Sequence, residues 1–272
     1  MSNFTHQRRM IAAIIRADLQ IQLAYRFNYF LEFLGTILSF VVLIFLWRAL
    51  FEHRLVIGTY TRPEMMTYLV GGALIAPLVF QVNQGDTINR HIKQGRLDTY
   101  LVRPLGIRTF WFTIDFNQRL HHFLMMVPVV IILGLFLKSE LVGPASGLAL
   151  SLTSLAIILG ALINYFLFNL VAIWAFWADE TWGPRFVLRV IAELASGKLL
   201  PLHLLPATLA TVFIYLPFSA MLYIPLQLYL GKLSQPEIIR AFGLELIWLG
   251  LLSLAFEWIL NRGLAKYTAV GG

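Results

Sequence analysis

Residues 148–177 read LALSLTSLAIILGALINYFLFNLVAIWAFW, a stretch without one Asp, Glu, Lys, Arg or His. About 20 mostly apolar residues suffice to cross a hydrocarbon layer as a helix. A helix on a soluble surface needs a polar face, and this run has none. It is longer than one span requires, which implies tilt or protrusion from the bilayer. Similar runs stand at 31–51, 66–83, 122–138 and 243–261. Over all 272 residues, 59% are hydrophobic and 13% are charged, against about 25% charged in a soluble domain. So little charge cannot clothe a globule, which excludes an ordinary soluble enzyme and a disordered chain.

Between 183 and 230 the pattern is irregular. Pro184, Pro201, Pro206, Pro217 and Pro225 divide it, and a proline inside a helix removes a backbone bond and kinks it. Broken helices at membrane depth persist only when packed in protein or lining a cavity. Residues 186–200 are just long enough for a fifth span. Residues 203–229 are expected to dip into the membrane without crossing. The expected fold is therefore an all-α polytopic membrane protein. It has six transmembrane helices in one domain over residues 1–272, with a re-entrant segment before the last span.

Orientation follows from the basic residues, which concentrate in cytoplasmic loops. With the N-terminus inside, Arg8, Arg9, Arg16, Arg26, Arg90, Lys93, Arg96, Arg103, Arg108, Arg119, Arg185, Arg189, Arg262 and Lys266 fall on the inner side. Only Arg54, Arg62, Lys138, Lys198, Lys232 and Arg240 fall outside, with Arg48 near the outer end of the first span. Both termini are thus expected in the cytoplasm, and the net charge of +7 is mainly an orientation signal. The basic residues are scattered between apolar runs, which argues against nucleic acid as a partner.

Ahead of the first span, residues 8–28 place Ile11, Ile14, Ile15, Leu19, Leu23 and Phe27 on one helical face. Arg9, Arg16, Asp18 and Gln20 lie off it. This is the pattern of an interfacial helix with arginines toward anionic lipid headgroups. The polar residues that break this run, and the lack of a small-residue cleavage site, do not read as a secretory signal. There is no cysteine, hence no disulfide, thiolate metal site or cysteine nucleophile. His121-His122 point about 100° apart on a helix, with no third ligand near in sequence, so no metal site is expected. Gly197-Lys198 and Gly231-Lys232 are each followed by Leu, so no P-loop is present. No catalytic residue or cofactor is expected in this chain.

The loop at 84–104 is the most informative polar segment. Asp86 can start a helix, Ile88 and Ile92 share a face, and Gly95 can end it. Leu97, Tyr100 and Leu101 form a second apolar stripe, and Pro104 closes the element. An exposed apolar stripe among charges usually marks a partner surface.

Gly95-x-Leu97-Asp98-x-x-Leu101-x-Arg103-Pro104 resembles the cytoplasmic coupling segment of permease subunits in type-2 ATP-binding-cassette (ABC) exporters. The likeness is greatest to a bacterial branch of about this length. Ser196-Gly197-x-x-x-Pro201, then Pro206, then Pro217-Phe218 resemble that family's outer end of span five and its re-entrant helices. Tyr25-Arg26-x-x-Tyr29 at the entry to span one is similar too. The resemblance implies a bacterial inner-membrane permease that moves a lipid-like, amphipathic or polymeric substrate out of the cytoplasm. A separate ATPase dimer would bind ATP and magnesium, and a second permease, the same or homologous, would complete the path. The resemblance makes 84–104 the ATPase-coupling segment, with Leu97, Tyr100 and Leu101 as anchors and Asp98 and Arg103 setting register. It makes Ser196, Gly197, Pro201, Pro206, Pro217 and Phe218 an extracellular gate.

Charges and amides within spans are costly and often functional. Glu32, Arg189, Glu193, Glu245 and Glu257 are the charges. Arg189 and Glu193 can pair at i,i+4. Glu257 is expected at headgroup level, and Glu245 near the outer interface. Asn164 and Asn169 would hydrogen-bond between helices or line a translocation path. Trp47, Trp174, Trp177, Trp182 and Trp248 are expected in an aromatic belt. An ATP-independent secondary transporter or channel is the alternative, but no ladder of proton-relay residues and no inverted repeat is evident. A membrane-embedded enzyme would need a clustered polar set at one depth, and the sequence offers none.

Overall fold

A computed structural model describes residues 2–24, 26–80, 86–95, 97, 106–178 and 180–267. Among them are ten α-helices: α1 (Ser2–Ala24), α2 (Arg26–Leu50), α3 (Arg62–Val79), α4 (Asp86–Lys93), α5 (Ile107–Phe136), α6 (Gly147–Ala172), α7 (Trp182–Ala195), α8 (Ala207–Tyr215), α9 (Tyr223–Tyr229) and α10 (Gln235–Lys266). Short 3-10 turns join several of them. One antiparallel hairpin, β1 (Val56–Ile57) with β2 (Tyr60–Thr61), precedes α3. Its two-residue loop turns on Gly58, whose φ of 63° only glycine adopts without strain.

The helix starts are written locally. The Thr61 amide donates to the Glu64 carboxylate at 2.7 Å, and the Ser234 amide donates to Glu237 at 2.8 Å. Both are capping boxes that satisfy first-turn donors. Ser146 Oγ accepts from the Ala149 amide at 3.0 Å and opens α6.

Three helical stretches are long and apolar enough to cross a membrane: Ile107–Phe136, Gly147–Phe176 and Gln235–Lys266. The second is central, with 56% of its most apolar window buried against 11% and 17% for the others. α6 packs against α3, α9, α10 and the 3-10 turn Ser219–Met221. The outer faces of α2, α5 and α10 leave Phe45, Ile132 and Leu254 exposed, as expected of surfaces that meet lipid.

Two expectations change. The third span was placed at 122–138, but α5 begins at Ile107. Asp115, Asn117 and Arg119 make residues 107–121 look like a polar loop, yet within the fold each has a partner. The fifth was placed at 186–200, but α7 has 14 residues, Trp182 to Ala195. At 1.5 Å per residue it rises about 21 Å, short of a hydrocarbon core of about 30 Å. It stops because Gly197 turns the chain at φ 81°.

The segment expected to re-enter is a set of short pieces: the 3-10 turn Leu202–Leu204, α8, the 3-10 turn Ser219–Met221 and α9. Pro206 precedes α8, and Pro217 lies between α8 and the second turn. Phe218 through Leu228 are buried, with Met221 at 0% and Leu222 at 1% exposure. Backbone packs on backbone where Gly160 of α6 faces the Ala220 carbonyl, and a methyl group at Gly160 would drive into that oxygen. Gly250 of α10 has open space around it. Gly160→Ala should therefore cost about 1–3 kcal/mol through overpacking. Gly250→Ala should be neutral or gain up to about 1 kcal/mol. Thermal unfolding in detergent micelles reads both.

Candidate functional site

The two ends of the bundle and one buried junction between them carry its polar chemistry. At the first end α4 lies across the bundle. Ile88 and Ile92 point inward with Leu97, which is 0% exposed. They join Ile107, Phe110 and Trp111 of α5, Ile173 beyond α6, and Phe256 and Leu260 of α10. Met10, Ile11 and Ile14 of α1 pack on the same cluster. Gly95, at φ 63°, ends the helix as expected. The Trp111 indole donates to His91 Nδ1 at 3.1 Å, and the Asn89 amide donates to Thr181. Arg90, Lys93 and Gln94 lie exposed on the opposite face.

Leu97 has no accessible surface in the chain and holds the segment to the bundle. Asp98, Tyr100, Leu101, Arg103 and Pro104 lie outside the described residues, as does Tyr25. Trp111 and Phe110, which the sequence did not single out, are part of the same seat.

α1 meets α5 through Asp18. Its carboxylate accepts from the Asn117 amide and, at 3.3 Å, from Gln118. Asp18 was expected on the polar outer face but is 9% exposed. Of the other residues in that pattern, Arg9 and Arg16 are exposed and Ile11 and Ile14 pack inward, but Leu19 and Phe27 of the expected apolar face are exposed. Nearby, Arg108 donates to Glu257 at 2.8 Å and to Asn261 at 2.7 Å. Glu257 is thus paired across helices.

The buried junction centres on Arg119, expected among the cytoplasmic loop charges but 5% exposed. Its Nε donates to Asp115 at 2.5 Å. Its terminal nitrogens donate to the Leu78 carbonyl at 3.1 Å, to the Val79 carbonyl, and to Asn164 Oδ1 at 3.1 Å. The C-terminal carbonyls of α3 lack intrahelical donors, and a cation there also suits the helix dipole. Asn164 bridges onward, its amide 3.7 Å from the Met221 sulfur of the broken segment. Asn164 and Asn169 are both buried, at 0% and 5%.

At the second end, Ser196 and Gly197 form a knot. The Tyr68 hydroxyl donates to the Gly197 carbonyl at 2.8 Å, and the Tyr223 amide donates to the Ser196 carbonyl at 2.9 Å. Pro201 and Pro217 are buried, Phe218 is 8% exposed, and Pro206 is exposed at the start of α8. The Tyr60 ring stacks on His203 at 4.5 Å, and burial pushes its hydroxyl well up from the ordinary tyrosine value. The Gln227 amide donates to that hydroxyl, and Lys232 lies over the ring and pairs with Glu64 at 2.8 Å. Glu140 receives Arg48 at 2.7 Å and Arg62 at 3.0 Å. Burial raises the Glu140 carboxyl, but the hydrogen bonds and charges of the two arginines outweigh it and hold the group below 4.5.

Among the other charges expected within spans, Glu193 accepts from Lys198 at 2.8 Å, and the side chain of Glu32 lies outside the described residues. Trp174, Trp177 and Trp182 are exposed at the first end, as a belt requires, but Trp47 is 4% exposed and packs on Phe51. Trp248 donates to the Tyr215 carbonyl at 2.9 Å. Glu245 is enclosed by the chain, at 1% exposure.

Two measurements check these assignments. Arg119→Ala leaves Asp115 unpaired in the interior and should cost about 3–5 kcal/mol. Asp115→Leu combined with Arg119→Met should recover part of that loss in the same melting assay. Glu140 has a lowered value in the folded chain. Its stabilisation is therefore full above its ordinary value of 4.5 and is lost as pH falls through the lowered one. Glu140→Gln should remove that share of the acid sensitivity, which develops as pH falls below 4.5.

Residues 37–271 match the model of a family described as ABC-2 family transporter protein. No curated protein matches the chain.

Proposed function

This chain belongs to the ABC-2 transporter family and is a membrane subunit of an ABC transporter, and on that premise we propose that it is the permease of an exporter. A separate cytoplasmic ATPase dimer, binding ATP and magnesium, drives it. The cargo is lipid-like, amphipathic or polymeric and leaves the cytoplasm of a bacterium across the inner membrane. In this reading the chain crosses six times, α7 with the turns that flank it forming the fifth crossing, and both termini and the 84–104 segment lie on the ATPase side.

The observation that carries this reading is the seat of α4. Ile88, Ile92 and Leu97 rest on α5, α10 and the end of α6 at once. A push on that small helix reaches all three of the long apolar helices. Its exposed face, with Arg90, Lys93 and Gln94, supplies charges that orient a partner. Asp98 and Arg103 set the register there, and Tyr100 and Leu101 are the apolar anchors. The α1 helix supports the same seat through Met10, Ile11 and Ile14.

Away from the ATPase, Ser196, Gly197, Pro201, Pro206, Pro217 and Phe218 form the gate. The short pieces between Leu202 and Tyr229 can shift as units, because prolines and turns already interrupt their hydrogen-bond ladders. A path opened along α6 would expose Asn164 and Asn169. A second permease, identical or homologous, completes it.

Purification of the tagged chain in mild detergent should bring down an ATPase subunit, and the complex should hydrolyse ATP. Asp98→Lys or Arg103→Glu should leave assembly and melting temperature unchanged while transport falls about tenfold or more, the loss of a close charge pair being worth ~1.5 kcal/mol or above. Export that survives both reversals would sink the coupling assignment.

A further inference from the structure

Glu245 sits on the inward stripe of α10, with Ala241 one turn before it and Leu252 two turns after. It is 1% exposed, and neither carboxyl oxygen has a hydrogen-bond partner among the described residues. Every other buried carboxylate described above has a donor: Asp18 has Asn117, and Asp115 has Arg119. The surroundings of Glu245 offer nothing comparable. α6, the helix packed most extensively on α10, contains no Asp, Glu, Lys, Arg or His, and neither does 207–229. Their titratable side chains are tyrosines alone, Tyr165, Tyr215, Tyr223 and Tyr229. On α10 itself the cation nearest in sequence, Arg240, lies over the Tyr215 ring and beside Glu237.

A carboxylate sealed in such a place without a cation is costly. A neutral acid avoids the charge but still leaves its hydroxyl without an acceptor. Either form is incomplete until something enters. A neighbouring layer is built of interrupted pieces: Phe213 and Ile214 of α8 pack on the apolar cluster that includes Ala241 of α10. α8 is a short helix between Pro206 and Leu216-Pro217, and it is tied to α10 beside Glu245 by the bond from Trp248 to Tyr215. The complement of a lone carboxyl walled by apolar side chains is a single positive charge carried on an apolar body.

We propose that Glu245 is the recognition group for a lipophilic cation, which reaches it when α8 draws back from α10. This rests on the permease reading and narrows its cargo. Binding exchanges one proton for one cation: the acid O–H bond breaks, the proton leaves to solvent, and the carboxylate pairs with the entering charge. No net charge is added to the interior.

The test uses the full chain in nanodiscs, with its ATPase where the two co-purify, and tetraphenylphosphonium as the probe. Equilibrium dialysis should show binding that Glu245→Gln weakens by at least about thirtyfold, the usual scale for losing one partner of a buried charge pair. Glu257→Gln, at the exposed pair with Arg108, should leave binding unchanged. Weakly buffered samples should release one proton per cation bound to the native chain and none for Glu245→Gln. In case that variant fails to fold, a dicyclohexylcarbodiimide experiment on the native chain stands by itself. Mass spectrometry should find the adduct on Glu245, and tetraphenylphosphonium should protect against it. Equal affinity in the native and Glu245→Gln chains, or no protection, overturns the proposal. If the ATPase still assembles and hydrolyses ATP, that failure touches only the cargo. If no ATPase assembles but protection holds, the cation site stands and the permease reading falls.

Discussion

Arg119 is held by Asp115, by Asn164 and by the last carbonyls of α3, and this arrangement follows from the absence of water inside an apolar bundle. Where no solvent can satisfy a polar group, each must find its partner in the chain. The end of α3 needs donors, and a guanidinium supplies several at once in a fixed fork. The same side chain neutralises Asp115 and reaches α6 through Asn164, which in turn meets Met221. Three elements of the fold therefore meet at one cation, and a fourth, the turn at Met221, joins them through Asn164. This explains why α5 can run from Ile107 to Phe136 as one helix despite a polar stretch near its middle.

The two ends of the bundle are held by different means. At the α4 end, apolar packing dominates: Ile88, Ile92 and Leu97 sink into a seat built by Phe110, Trp111, Phe256 and Leu260. Such a seat is strong but tolerates small shifts, since its contacts are not directional. At the other end, directional bonds dominate. Glu140 with Arg48 and Arg62, Lys232 with Glu64, and the carbonyls of Ser196 and Gly197 fix the hairpin and α9 against α3 and α7. Between the two ends, α6 and the short pieces at 207–229 touch backbone to backbone at Gly160 and Ala220.

Much of this was legible in the sequence. The uncharged run at 148–177 is the central helix, the prolines mark the breaks between Leu202 and Tyr229, and Gly95 ends α4. The apolar stripe of Ile88 and Ile92 was visible, but its direction was not. An amphipathic helix presents the same pattern whether its apolar face meets its own bundle or a partner, and only the contacts of Ile88, Ile92 and Leu97 decide. The i,i+4 spacing of Asp115 and Arg119 was a readable hint of a pair. Nothing local pointed to Leu78, Val79 or Asn164 as the other partners, which lie about forty residues away.

By itself the sequence determined that this is a helical membrane protein and where the chain breaks at its prolines and glycines, because hydropathy, caps, glycines and prolines act over a few neighbouring residues. The family could also be read there, from short motifs in order. Only the tertiary structure decided which charges are buried. Hydropathy windows average over a segment and assign Asp18 and Arg119 to a polar surface, whereas a charge becomes internal only when distant parts of the chain bring it a partner. Glu245 is the converse case. It reads like a carboxyl near an interface, yet the fold buries it and brings it no partner among the described residues.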